Sequence, residues 1–318
     1  MRDLSVSFQT QDGLVEAVKK LSFSVAPGEC FGLVGESGSG KSQTVLAAMG
    51  LTAANGKVEG SILFDGVEMN GLDQKQLNAI RGARISMIFQ DPLTSLTPHM
   101  TVGAQMAEVL ARHKNLKGKA AEQRMVEWLE RVRIPEARRR LHQFPHELSG
   151  GMRQRVMIAA AMLCEPQVLL ADEPTTALDV TVQAQVLELL QTEVREHRTG
   201  LLLITHNLGV VARYADRVNV MYGGRIVESA PGDDLYDRPL HPDTIGLLAS
   251  VPRLDQPMAQ RLQPIDGQPY DPLRRPRGCA FHPRCPQVMA RCREAVPPVT
   301  TASTGHRVAC WLHAGANA

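Results

Sequence analysis

Long apolar stretches are missing from this chain of 318 residues. The longest, Val156 to Cys164, runs for nine residues, against the roughly 20 that a helix needs to cross a bilayer. No segment is therefore expected to span a membrane. Net charge is nearly missing too, since 35 Lys and Arg oppose 33 Asp and Glu for a formal +2. That is too small to predict nucleic-acid binding from field strength alone, although the Arg-rich segments 138–140 and 274–293 read as local patches. The opening MRDLSVSFQT alternates like a strand and lacks the apolar core and cleavage site of a secretory signal. The expected compartment is the cytosol. No internal repeat appears, and the only compositional bias is proline near the end. What remains, with 43% hydrophobic residues, suits one large or two modest globular domains.

Residues 4–8, 21–25, 30–34 and 61–64 read as short strands, parted by turn pairs such as Pro27-Gly28 and Asp65-Gly66. Ile85–Phe89 reads as another strand. Beyond it, 102–112 and 119–133 have helical periodicity, which predicts a helical insertion over about 92–155. Val168–Ala171 and Leu201–Thr205 are continuous apolar runs with the helical stretch 180–197 between them, the pattern of buried parallel strands joined by a crossover helix. Val218–Met221 and Arg225–Glu228 flank Gly223-Gly224 as a hairpin would. From Pro231 onward lie 13 of the 20 prolines, so 231–318 is expected to be a separate, loop-rich unit after a first domain over 1–230.

Gly35-Glu36-Ser37-Gly38-Ser39-Gly40-Lys41-Ser42 matches G-x-x-x-x-G-K-[ST] between the strand CFGLV and the helical SQTVLAAM. Glycines at Gly35, Gly38 and Gly40 let successive amides, including those of Ser37 and Ser39, turn toward a phosphate. Lys41 is placed to reach the β/γ-phosphates and Ser42 to ligate Mg²⁺. Gln167-Val168-Leu169-Leu170-Ala171-Asp172-Glu173 is an apolar strand ending in two carboxylates. Asp172 is expected to hold Mg²⁺ and Glu173 to polarise the attacking water as general base.

Leu148-Ser149-Gly150-Gly151-Met152 resembles the signature of ATP-binding-cassette (ABC) ATPases, with Met152 where the family commonly has Gln. Ser149 would cap the helix 150–164, whose bare amide end at Gly150 and Gly151 faces an anion. The resemblance makes that anion the γ-phosphate bound to the opposite subunit. It implies an α/β fold: a phosphate-loop core with an antiparallel β subdomain, a helical signature subdomain and a loop-rich, cysteine-containing C-terminal extension. It further implies that Phe8 stacks on adenine, that Gln90 senses Mg²⁺ and the attacking water, that Asp179 lies in a dimer-contact loop and that His206 contacts the γ-phosphate.

The stretches GESGSGKSQT, MIFQDPLTSLTP, FPHELSGGMRQRVMIA and ADEPTTALDVTVQAQ, with HPDTIGLLASVPRLD and RGCAFHPRCPQVMARC in the tail, resemble the bacterial oligopeptide and dipeptide importer ATPases. The implied partners are a second, often different, ABC ATPase subunit, two membrane-spanning permease subunits and a periplasmic or extracellular solute-binding protein. The implied location is peripheral, on the cytoplasmic face of the bacterial inner membrane. Relatives in the group import nickel complexes and other small solutes, so peptide and nickel both stand as cargo; a soluble cassette ATPase without a transporter would carry a second cassette, long coiled-coil insertions or a basic arm, and none is present.

Cys279, Cys285, Cys292 and Cys310 have the spacing C-x₅-C-x₆-C-x₁₇-C, which fits neither the common zinc-finger nor the ferredoxin patterns. The peptide-importer resemblance implies a [4Fe–4S] cluster on these four residues. Zinc on the same thiolates and unligated structural thiols are the rival readings.

Overall fold

A computed structural model describes residues 1–91, 95–175, 180–250 and 265–315. The chain separates into two compact units, one of Met1–Ser24, Phe31–Gly71 and Thr205–Ala318, the other of Val25–Cys30 and Leu72–Ile204.

In the first unit, β1 (Arg2–Thr10) is the centre of an antiparallel sheet, flanked by β2 (Gly13–Leu21) and β4 (Gly56–Ser61). β3 (Cys30–Val34) is buried along its whole length, as its unbroken apolar sequence requires of a strand covered on both faces. It pairs in parallel with β10 (Arg217–Tyr222), with Val218 opposite Gly32. β10 turns through Gly223-Gly224, both at positive φ, into antiparallel β11 (Arg225–Pro231). Such a two-residue turn matches the strand twist and needs residues that tolerate positive φ. The late chain adds to this sheet: β13 (His306–Val308) pairs with β11 and with β12 (Thr300–Ser303). The helices of this unit are α1 (Lys41–Ala48), α8 (Leu208–Tyr214), α9 (Gly232–Asp237), α10 (Pro242–Ala249) and α11 (Ala290–Glu294).

In the second unit, β7 (Ile85–Ile88), β8 (Val168–Asp172) and β9 (Gly200–Thr205) run parallel, with Ile85 opposite Val168 and Leu169 opposite Leu201. α7 (Val180–His197) lies between the last two in sequence, the expected crossover. α2 (Gln74–Ile80) starts with a reciprocal capping box between Asp73 and Gln76. The insertion is helical as expected. α3 (Val102–His113) buries Val102, Met106 and Leu110 at intervals of four, and α4 (Gly118–Arg131) buries Ala121, Met125, Trp128 and Leu129. α5 (Ala137–Arg140) is a single turn. α6 (Gly150–Met162) carries most of the longest apolar run and buries Val156, Met157, Ile158, Ala159, Ala161 and Met162. That run is thus a core helix, and among the described residues no helix is long and apolar enough to cross a membrane.

Two sequence expectations shift. The strand expected over 21–25 lies instead at Gly13–Leu21, because GLVEAVKKL is only partly buried and its charges mask the alternation. The strand expected over 61–64 breaks at Ile62, leaving β5 (Leu63–Phe64) to form a small hairpin with β6 (Val67–Glu68) across Asp65-Gly66.

Candidate functional site

The phosphate-binding sequence forms a tight loop from the end of β3 to α1. Gly35 has φ 152°, and any Cβ there would overlap the Met221 carbonyl of β10. Lys41 is 5% exposed and bends back over the loop. Its Nζ donates to the carbonyls of Gly35 and Glu36, each at 2.8 Å, and to Ser39 Oγ at 3.4 Å. Ser39 is buried, whereas Ser37 and Gly38 face solvent and Ser42 is half-buried in the first turn of α1. No acidic side chain occupies that turn, so the positive end of the helix is not offset from within. The loop is also fastened from behind, where the Gly224 amide donates to the Ser39 carbonyl at 3.1 Å. Phe8 is half-buried at mid-strand, opposite Val15 and Gly56, with its ring against the Cα of Gly56. His206 is exposed directly after β9, where the Asn207 amide caps back to Thr205 Oγ1 at 3.0 Å.

In the second unit, Asp172 ends β8 and is 5% exposed. Glu173 follows with φ 48°, a left-handed conformation that costs an ordinary side chain roughly 1–2 kcal/mol. Its amide donates to the Ile204 carbonyl at 2.9 Å, which holds that turn in place. Gln90 Nε2 donates to Glu173 Oε2 at 2.9 Å, joining two expected site residues that lie 83 positions apart. Ser149 caps α6, accepting the Met152 amide at 3.3 Å. A Cβ on Gly150 would meet nothing within 4 Å, so this helix end is open. Asp179 lies outside the described residues.

The cysteines of the extension converge. Gly278 has φ 70° and lies so close to the Cys292 carbonyl that a side chain would collide with it. The Cys279 amide then donates to that carbonyl at 2.8 Å. Cys279, Cys285 and Cys310 each accept a hydrogen bond from the backbone amide two residues on, at Phe281, Gln287 and Leu312. Burial pushes the Cys279 thiol up to about 11, aided by the other three cysteines, and raises Cys285 and Cys310 as well. Among the described residues, no three of these sulfurs lie within 4.8 Å of one another.

Three polar features were not anticipated from sequence. Glu228 of β11 is fully buried and accepts from His306 Nε2 at 2.7 Å and from the Leu240 and His241 amides at 2.8 and 2.9 Å. Asp243 is also fully buried, and burial raises its carboxyl to about 8. Arg284 grips Glu36 of the phosphate loop. No local sequence pattern announces them; Arg284 is one arginine within a segment that reads as a basic patch.

Comparison with known proteins identifies the family. The family model described as "ABC transporter" matches residues 18–176, and that described as "Oligopeptide/dipeptide transporter, C-terminal region" matches 227–292. The chain is 53% identical over 311 residues to the oligopeptide transport ATP-binding protein OppD of Salmonella typhimurium, covering 98% of this chain and 92% of that protein. It is 51% identical over 314 residues to the dipeptide transport ATP-binding protein DppD of Bacillus subtilis, covering 98% and 93%. A solved dimeric ATP-binding cassette in a post-hydrolysis state, bound to ADP and phosphate, superposes with a TM-score of 0.64 at 26% identity, over 72% of this chain and 97% of the other. By these matches the chain belongs to the ABC transporter ATPases, in the branch of the oligopeptide and dipeptide transport ATP-binding proteins.

Proposed function

We propose that this ATPase is the motor subunit of a bacterial importer, coupling ATP binding and hydrolysis to the uptake of oligopeptides or dipeptides. The observation that carries the chemical step is the Gln90–Glu173 hydrogen bond at the end of β8. Glu173 is the base that takes a proton from the attacking water, and the Gln90 amide sets the orientation of its carboxylate. Lys41 and the amides of Gly35, Ser37, Gly38, Ser39 and Gly40 hold the phosphates, while Phe8 stacks on the adenine. The hydroxyl of Ser42, the amide oxygen of Gln90 and the carboxylate of Asp172 are hard oxygen donors, which fits Mg²⁺. That ion would neutralise phosphate charge when bound with the nucleotide.

Ser149, Gly150 and Gly151 act on the ATP of a partner cassette, a second and different subunit, with Asp179 at the dimer contact. His206 reaches the γ-phosphate. The assembly we infer contains two membrane-spanning permeases and a periplasmic or extracellular solute-binding protein, no nucleic acid, and places this subunit on the cytoplasmic face of the inner membrane. The cassette would comprise 1–230 with the insertion at 92–155, and the accessory extension 231–318. Both relatives described above are peptide-transport proteins, which favours peptide over nickel as cargo.

Glu173→Gln in the full chain is expected to leave nucleotide affinity unchanged and to lower hydrolysis by about 10²–10³-fold, the worth of a positioned base. Near-normal turnover would overturn the assignment. Cargo is tested by uptake of a labelled tripeptide against nickel accumulation in cells lacking this chain.

We also infer that Cys279, Cys285, Cys292 and Cys310 hold a [4Fe–4S] cluster. Backbone amides donate to three of the sulfurs, and hydrogen bonds to sulfur are a recurrent feature of such sites. Zinc on the same four thiolates is the rival, and with Zn–S near 2.3 Å it would need the sulfurs about 3.8 Å apart. A cluster, when bound, supplies a redox-active cross-link among segments that have little core of their own. Anaerobic preparation should give about four iron and four sulfide per chain, and zinc or neither would overturn this reading.

A further inference from the structure

Arg284, the residue before Cys285, reaches out of the cysteine-rich extension to the phosphate loop. Its side chain is 5% exposed. Nη1 and Nη2 form a two-pronged pair with the Glu36 carboxylate at 2.5 and 3.1 Å. The remaining contacts hold the guanidinium in place: Nε donates to the Asp266 carbonyl at 3.1 Å, Nη2 to the Ile265 carbonyl at 3.2 Å and Nη1 to Tyr222 Oη at 3.5 Å. Exposed ion pairs contribute little, but a planar, two-pronged and largely buried one fixes geometry. The bonds to Glu36 and Tyr222 more than offset the cost of burial and raise the proton affinity of Arg284, so it stays charged.

Glu36 has two tasks. Its carboxylate faces Arg284, and its carbonyl accepts Lys41 Nζ at 2.8 Å and the Ser39 amide at 3.2 Å. A hold on the side chain therefore limits the rotation of the very peptide that orients the phosphate lysine. Ser37 and Gly38, the next two residues, are exposed. Loops that must present several amides to one ligand lose affinity when their conformations multiply.

We propose that Arg284 is a positioning residue for the nucleotide site: through Glu36 it preorganises the phosphate loop, so that the extension sets the affinity of the cassette for ATP. Arg284 itself touches no nucleotide in this role. If the pair served only to dock the extension, its loss would lower stability and leave nucleotide binding alone.

The inference rests on residues 35–42 being the nucleotide site, and the experiment separates the two. The full chain and its Lys41→Ala, Arg284→Gln, Glu36→Gln and Glu36→Gln/Arg284→Gln variants are titrated with trinitrophenyl-ATP, and KM for MgATP is measured alongside kcat. Loss of binding in Lys41→Ala verifies the site independently of Arg284. Arg284→Gln and Glu36→Gln are each expected to weaken binding about tenfold, with KM moving more than kcat, and the double variant to be no weaker than either, because the two act as one unit. Unchanged affinity in a folded Arg284→Gln, or losses that multiply in the double variant, would overturn the proposal. Should Arg284→Gln fail to fold, Glu36→Gln, which leaves the extension intact, decides alone: unchanged affinity there overturns it equally.

Discussion

The strand that carries the phosphate loop and the loops that carry the cysteines each hold a short segment in a demanding conformation, by opposite means. β3 is buried at all five positions, with Phe31 stacked on Phe23 at 4.9 Å and under the Arg217 guanidinium at 4.8 Å. Apolar burial there is continuous and non-directional, so the loop at its end inherits a rigid base. The extension has Phe281 and Val308 buried but leaves Val296 and Val299 47% and 64% exposed. Its order comes from directed contacts: the Glu228 hub, the Arg284–Glu36 pair and the backbone bonds among the cysteines. A core assembled from packing tolerates small changes of shape, whereas one assembled from buried polar groups fails when a single partner is removed.

Substitutions should separate the two. The largest loss is expected for Phe31→Ala, about 4 kcal/mol of unfolding free energy by denaturant titration, since a tightly stacked strand cannot collapse into the void. Phe281, edge-on to Tyr222 at 5.1 Å and set among loops, should cost less when replaced by alanine; an equal loss would break the comparison. Glu228→Ala should cost about 3 kcal/mol, because His306 and two amides lose their acceptor in a buried site. Proteolysis should then cut the extension first.

A smaller effect is readable as pH dependence. Asp243 keeps its proton to about pH 8 in the folded chain, against an ordinary value of 3.8, so the folded state binds more protons than the unfolded one between these limits. Its contribution to stability is present below pH 4 and is lost as pH rises toward 8. His241, lowered by burial to about 3 from 6.5, acts in the opposite direction between pH 3 and 6.5. The two oppose each other up to pH 6.5, and above it only the loss from Asp243 remains. Stability should therefore fall by about 1–2 kcal/mol between pH 6.5 and 8, and Asp243→Asn should flatten that limb; an unchanged slope would remove Asp243 as its source.

Much of the candidate nucleotide site was legible because its local geometry is set by neighbouring residues. The phosphate loop, the Asp172-Glu173 pair and the Ser149 cap each need particular residues within a few positions of one another, and they appear in the structure where the pattern places them. β2 was misread because its sheet is only partly buried, so nothing forced a clean alternation upon it. The cysteines were visible as a set, but not the amides that point at their sulfurs.

By itself the sequence determined the cassette family, the order of its elements and which segments could bear phosphate chemistry, since backbone turns, caps and buried strands are dictated by neighbours in the chain. Only tertiary structure decided that Gln90 meets Glu173 across 83 positions, that Glu228 gathers three donors, and that Arg284 rather than another arginine of its segment closes on Glu36 across 248. The physical reason is that an ion pair or buried hydrogen bond needs only compatible groups brought within about 3 Å, and the chain satisfies that condition through folding, without leaving a mark on the spacing of its residues.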